Sequence, residues 1–439
     1  MSNAIVQVAV SQTVAPAAST LQRTGALISL GGTTLGAGNT GLLTQYADLT
    51  PLLATAKTLS NLVWASSVVT ATATVPHGYT IGEVVSLTIT GATPAGYNGT
   101  FLATITTTTA FTYPLAINPG TATIFGSVAV EEAAELVAMA TTWFAQGTTA
   151  SVLVLELGAI DTIDAITALN AYIVANPQTI YSFLVPRAWA AASSFLSFLA
   201  SYENPEAMTY FFVTATNTGP GAYTNFTNLM KCVYAVIEAP GIPATEFSAA
   251  AFMYVTINYN PSTTNMVTPN AFAFLYGVTP YPTKGNAALF ATWKAAFVNW
   301  VGTGAEGGIS NTMVLWGTTM DGNPFNYWFS VDWVQINLNL DLSNEIINGS
   351  NNPQAPLYYD QNGINRLQAR AQGTMNRGVT YGLVLPPVAV TAVPFAAYVL
   401  TNESDYPNGV YNGLAVIYTP RRGFESILFN VQVSDIPTA

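Results

Sequence analysis

Two residue types that carry much of protein chemistry are nearly missing from this 439-residue chain, which has one cysteine, Cys232, and one histidine, His77. A single thiol excludes an internal disulfide framework and fits a protein made and used without oxidative stapling. Its neighbours Lys231, Val233 and Tyr234 read as the start of a strand, which favours a buried structural thiol over a nucleophile. One histidine and one cysteine cannot build the usual zinc shells. A Ser-His-Asp or Cys-His centre would have to use His77, whose VPHGY context reads as a turn among short β runs. No D-x-[DN]-x-[DN]-G calcium loop occurs, and Asp321-Gly322-Asn323 reads as a turn. The glycine-rich GGTTLGAGNTG (31–41) lacks the Lys and Ser/Thr of a phosphate-binding loop, and GTGAEGG (302–308) has no strand predicted before it. Both read as connections. No catalytic, cofactor-binding or metal-binding residue is assigned, and the chain is read as not an enzyme.

Charge is scarce as well, 8% of residues against about 25% in an ordinary soluble domain. Half the chain is hydrophobic, so much of its surface is expected to face protein. The mean hydropathy of +0.36 raises the question of a membrane protein, but no uninterrupted apolar run of about 18–20 residues exists. Residues 188–200 are broken by serines, and 388–400 by Thr391 and Pro394. The N-terminal MSNAIVQVAV has no Lys or Arg ahead of its apolar stretch and no cleavage pattern. No membrane insertion is expected. A net charge of −11 argues against direct nucleic-acid binding, which rests on neutralising phosphates. Residues 1–350 hold 6 basic and 17 acidic side chains, whereas 351–439 hold 5 of each.

The length suggests two to four domains, since single cores stop growing at roughly 250–300 residues. Along the chain, residues 4–10 alternate and place Val6, Val8 and Val10 on one face, a strand with no hairpin partner nearby. Residues 27–41 read as a strand running into a loop, followed by helical text near 49–61. Residues 66–128 change character: Thr, Val, Gly and Ala dominate, in short β runs such as VVTATATV and EVVSLTIT. This is read as a small all-β module inserted in α/β text. Strands are then predicted at 152–157, 180–185, 210–215, 233–238 and 313–316, and helices at 131–146, 162–175, 188–202, 224–230, 245–254 and 286–301. The last would carry Leu289, Trp293, Ala296 and Trp300 as one stripe. Such alternation predicts an α/β sandwich. Residues 334–342 (VQINLNLDL) fit both a strand and a helical face. Beyond them come a helix at 363–376 and strands at 379–385, 396–401, 413–419 and 426–433. The last aligns Ile427, Phe429, Val431 and Val433 on one face.

One charged constellation stands out. On the 363–376 helix and its end, Arg366, Arg370 and Arg377 fall within about 40° of one another, opposite Ile364, Leu367, Ala371 and Met375. The stripe is either a solvated face or a dock for an acidic partner.

The layout resembles the contractile-tail sheath proteins of tailed phages. The likeness lies in WFAQG (143–147) and its α/β continuation, LWGTTMDGNPFNYWFSVDWVQINLNL (315–340), the QNGINRLQAR helix (361–370), the GVTYGLV stretch (378–384) and the terminal strands. It covers most of residues 1–65 and 129–439. It implies an α/β fold, α+β overall: an N-terminal arm (1–25), an α/β middle domain (26–65 and 129–325), an outward-facing inserted β module (66–128) and a C-terminal α+β assembly domain with its own arm (326–439). It implies a helix around Trp333 to Leu342. It also implies homo-hexameric rings stacked as a helical sheath around a tail tube, with baseplate and tail terminator proteins as further partners. The arms (Ile5, Val6, Val8, Val10, Ile427, Phe429, Val431, Val433) would add strands to neighbouring subunits, and Arg366, Arg370 and Arg377 would face the tube. Such a subunit would sit in the virion tail, assembled in the host cytoplasm, and would contract during genome ejection. The alternative from the residues is a carbohydrate-binding virion surface or fibre protein, suggested by the Thr-rich β text and the many Trp and Tyr. A hydrolase using Glu156 and Asp161 has no supporting motif.

Overall fold

The computed structural model describes residues 20–204, 207–281, 286–303 and 311–425. In chain order, strands β1 (Gly25–Ser29) and β2 (Thr40–Leu43) lead into β3 (Lys57–Ala65), β4 (Val68–Ala73), β5 (Val84–Thr90), β6 (Gly99–Ile105), β7 (Ala110–Pro114) and β8 (Ser127–Val130). Then follow α1 (Glu131–Ala145), β9 (Val152–Glu156), α2 (Thr162–Ala175), β10 (Ser182–Leu184), α3 (Ser193–Ser201), β11 (Tyr210–Ala215), β12 (Val233–Ile237), α4 (Ser248–Ile257), α5 (Ala287–Ala295), β13 (Asn299–Thr303) and β14 (Thr312–Leu315). The last elements are α6 (Phe325–Asn351), α7 (Gln361–Thr380), β15 (Ala389–Ala392), α8 (Phe395–Thr401) and β16 (Leu414–Ile417). The fold is mixed α+β.

Among the described residues one sheet has the order β14-β13-β12-β11-β10-β1-β9-β2. Its central strands, β13 through β9, run parallel, and the two edge strands are antiparallel. Parallel strands must be covered on both faces, and alternation along each strand does this here. Tyr210 and Phe212 join a core with α1, α4 and α6, while Phe211 and Val213 join a second core with α2, α3 and α5. Both α/β layers follow from the near-continuous apolar strands, such as YFFVTA and VYAVI, which are buried at every position.

Between β2 and α1 the chain forms a closed barrel, β3-β4-β7-β6-β5-β8, around Val69, Leu87, Ile105, Phe111 and Tyr113. Its first strand lies where helical text was expected. The reason is a register irregularity between Leu59 and Asn61. It leaves Leu59 and Leu62 both buried, an i, i+3 spacing that imitates a helix. The tryptophan stripe of 286–301 is divided in the same way. α5 ends at Ala295, yet Trp293 on the helix and Trp300 on β13 still meet edge-on at 5.2 Å in one core. A strand, β13, thus runs into the 302–308 stretch as far as Thr303. The C-terminal strand expectations shift too. Residues 379 and 380 continue α7, and 396–401 form α8, which Pro394 precedes at its N-cap. Residues 334–342 are helical, inside α6.

Candidate functional site

The C-terminal module is built on α6. Its first half seats Phe325, Phe329, Trp333 and Val334 on the sheet core, and its second half receives Ala371 and Met375 of α7. α7 starts on Asp360, whose Oδ1 accepts from the Gly363 N–H at 2.8 Å. The arginine stripe of α7 finds its acidic partners inside the chain. Arg366 pairs with Glu345 at 2.6 Å and Arg370 with Asp341 at 2.8 Å, while Arg377 pairs with the same Asp341. Asp341 also accepts from the Thr374 hydroxyl at 2.5 Å. The three arginines clasp α7 to α6 and keep part of each side chain in solvent. Asp341 and Glu345 sit i, i+4 on the ambiguous 334–342 text and just beyond it. Only the antiparallel packing of two helices reveals the match. Asp341→Ala should lower stability by about 2 kcal/mol, a buried carboxylate with two partly exposed cationic partners being worth more than a surface pair. A urea midpoint that does not move would show the arginines simply re-solvating.

Beside α7 lies a two-stranded sheet, β15 paired with β16, in which Val390 faces Val416 and Thr391 faces Ala415. The outer edge of β15 is capped by α7: Gln368 Nε2 donates to the Val390 carbonyl and Gln372 Oε1 accepts from the Val390 N–H, both at 2.8 Å. Antiparallel geometry sends the Val416 N–H and C=O the opposite way, off the far edge of β16. That edge has no strand neighbour among the described residues. Leu414, Val416 and Tyr418 pack inward on the core, whereas Ile417 is 93% exposed.

The bases of both terminal segments are tied down. Gln22 Nε2 donates to the Phe329 carbonyl of α6 at 2.7 Å. At the other end Arg421 donates its N–H to the Leu383 carbonyl, Arg422 reaches Asn323 and Glu425 pairs with Lys294 at 3.0 Å. Ile5, Val6, Val8, Val10, Ile427, Phe429, Val431 and Val433 lie outside the described residues.

No family model matches the chain, and no curated protein matches it. Two solved structures are similar to it. One is a sheath tail protein from Listeria innocua, 10% identical, covering 92% of this chain and 97% of that chain with a TM-score of 0.44. The other is the helical sheath of the anti-feeding prophage in its contracted state, 11% identical, covering 98% and 100%, with a TM-score of 0.48. Both are sheath proteins. At such identities the functional reading rests on this chain's own residues.

The residues named for chemistry are engaged otherwise. Cys232 is buried beneath α3, and burial pushes its thiol well up. His77 is buried in the barrel, stacked on Tyr79 at 4.5 Å, and burial lowers its pKa. Asp161 caps α2 through the N–H groups of Ile163 and Asp164. The Glu156 carboxylate is filled by backbone and hydroxyl donors.

Two buried charge clusters have no signature in the sequence. Asp332 of α6 points into the sheet core, where Oδ2 accepts from the hydroxyls of Tyr181 at 2.7 Å and Tyr210 at 2.8 Å. Burial raises its pKa, opposed by the buried Lys231 and the two hydroxyls. At the carboxyl ends of the strands Arg187 makes a two-pronged bond to Glu238 (2.7 and 3.0 Å), reaches Glu135 at 3.3 Å and stacks over Phe247 at 4.1 Å. Burial raises the Glu135 pKa, with Arg187 opposing. No helix of the described residues is long and apolar enough to cross a membrane.

Proposed function

We propose that the chain is the structural subunit of a contractile tail sheath, polymerising as stacked homo-hexameric rings around a tail tube and contracting to drive that tube through the host envelope. The observation that supports this reading most is the edge of β16, which has no strand neighbour among the described residues, together with two terminal segments whose bases are clamped. A two-stranded sheet is marginal alone and an open edge is a template for another chain. The segments carrying Ile5, Val6, Val8 and Val10 and Ile427, Phe429, Val431 and Val433 would add to that edge in neighbouring copies. About six paired residues at roughly 0.5–1.5 kcal/mol per hydrogen bond, with apolar burial, supply several kcal/mol per joint.

In this reading residues 1–25 are the N-terminal arm, 66–128 the greater part of an outward-facing module whose barrel strands β3 and β8 extend it to 57–130, the rest of 26–65 and 129–325 the middle domain, and 326–439 the assembly domain. The solvent side of the Arg366, Arg370 and Arg377 clasp faces the tube, with two carboxylates against three guanidinium groups leaving it net basic. Baseplate and terminator proteins would close the two ends. The particle would be a virion tail assembled in the host cytoplasm, and the reading assigns no catalysis to the chain. Energy for contraction would reside in a metastable packing of rigid α/β bodies, released when they repack during genome ejection.

A carbohydrate-binding fibre would present aromatic platforms. None of the eight tryptophans is exposed, and Trp143, Trp189, Trp293 and Trp300 are fully buried. Negative-stain images test the assembly reading: the full chain should form striated tubes, and deletion of residues 1–14 should leave a folded, soluble monomer. Long tubes from the deletion variant would sink the strand-exchange idea.

A further inference from the structure

In parallel sheets whose strand order reverses, ligands sit in the crevice outside the carboxyl ends of the strands. Here β1 has β9 on one side and β10 on the other, and the glycine-rich stretch 31–41 follows β1 at that reversal. The crevice contains a side chain of the chain itself. Oε1 of Glu156 accepts from the N–H of Gly31 at 2.6 Å and of Gly158 at 2.7 Å. Oε2 accepts from the Thr33 N–H at 3.1 Å, the Thr33 hydroxyl at 2.7 Å and the Ser29 hydroxyl at 2.8 Å. Gly31 and Gly158 have φ of +78° and +99°, and a Cβ on Gly31 would stand 2.5 Å from that of Ala159. These left-handed glycines help turn the N–H groups of Gly31, Thr33 and Gly158, from two loops, onto one carboxylate, while the Gly32 N–H donates to Ser29 Oγ at 3.1 Å.

Among the described residues no Lys or Arg forms a salt bridge to Glu156, although Glu156 is buried. The donors that meet it among the described residues are all neutral. A buried carboxylate without a cation is tolerated only when its lone pairs are filled, and five donors on two oxygens fill them. Neutral dipoles suit one negative charge better than two.

We propose that the loop after β1 is an oxyanion site occupied in cis by Glu156, selective for a small monocarboxylate when that side chain is removed. In the intact chain the carboxylate plugs the crevice and ties the end of β9 to the β1 loop. The glycines are then a built cradle, not a slack connection. The proposal stands apart from the assembly reading.

The test uses the full-length chain, with thermal unfolding followed in sodium chloride and in sodium acetate or formate at equal ionic strength. Glu156→Gly and Glu156→Gln should both lose several degrees in chloride. Acetate or formate should restore most of the loss in Glu156→Gly along a saturable curve. Both salts should leave the wild type and Glu156→Gln unmoved, because the cradle is already filled. A Glu156→Gln variant as stable as the wild type overturns the proposal, as does a Glu156→Gly variant whose response to acetate matches the wild type's. If Glu156→Gly does not fold from expression, refolding from urea should succeed in acetate and fail in chloride; equal failure in both overturns it.

Discussion

Replacing Asp332 by alanine is expected to destabilise the folded chain by about 3–5 kcal/mol, the cost of breaking a buried charged cluster on one side. Two hydroxyls, Tyr181 and Tyr210, would lose their acceptor inside the core, and buried Lys231 would lose a nearby negative charge. Asp332→Asn keeps an acceptor for both hydroxyls and should cost far less. The sign with pH separates the two contributions. A carboxyl whose folded pKa is raised above the unfolded value of 3.8 stabilises fully below that value and loses this contribution as pH rises through the folded pKa. The wild type should therefore lose ground against Asp332→Asn as pH rises from about 4 through the folded pKa. Denaturant unfolding of the wild type and Asp332→Asn from about pH 4 upward measures it, and a pH-independent gap would show that the fold does not raise the carboxyl's pKa. The same residue fixes α6 to the sheet, so Asp332→Ala should also weaken the platform on which α7, β15 and β16 rest.

The second large effect is expected at Arg187. Its guanidinium stands between Glu135 and Glu238 and also donates to the Glu246 carbonyl at 2.7 Å. Arg187→Ala leaves two largely buried carboxylates facing each other without a cation, at a cost of about 3–5 kcal/mol near pH 7–8. Glu135 is already raised by burial with Arg187 opposing that rise, so removing the cation pushes it higher. The variant's deficit relative to the wild type should shrink as pH falls toward 5 and Glu135 takes a proton. Arg187→Lys should rescue only in part, because a point charge cannot make the two-pronged bond to Glu238 or lie flat over Phe247. Thermal unfolding at pH 5 and pH 8 decides it. A deficit that stays constant with pH would mean that the loss is packing alone.

Several elements could be read from residue patterns because their signals are local. The apolar runs at 152–157, 210–215 and 233–238 became β9, β11 and β12, and Asp161 followed by TIDAITALN became the capped start of α2. Misread elements had tertiary causes. Leu59 and Leu62 share the barrel interior through a bulge, and Trp293 and Trp300 share a core although a turn separates helix from strand. For residues 334–342 both periods were present, and burial of Trp333, Val334, Leu338 and Leu342 along one helix resolved the tie.

The candidate site divides the same way. Spacing placed Arg366, Arg370 and Arg377 on one face of α7, but a helical wheel says nothing about what opposes that face. The partners Asp341 and Glu345 come from another helix, α6, and the glutamines of α7 that cap β15 find their partner, Val390, on a strand 18–22 residues away in the chain.

The absence of a second thiol or imidazole, the scarcity of charge and the periodic apolar runs are properties of the chain as written. By themselves they determined the alternation of strands and helices in the middle of the chain and excluded an internal disulfide framework. Only the tertiary structure decided that one carboxylate fills the β1 loop, that another holds α6 to the sheet and that β16 has no strand neighbour on its far edge among the described residues. Those outcomes depend on which distant groups meet, and hydrogen bonds and charge pairs act over a few ångströms that sequence spacing does not encode.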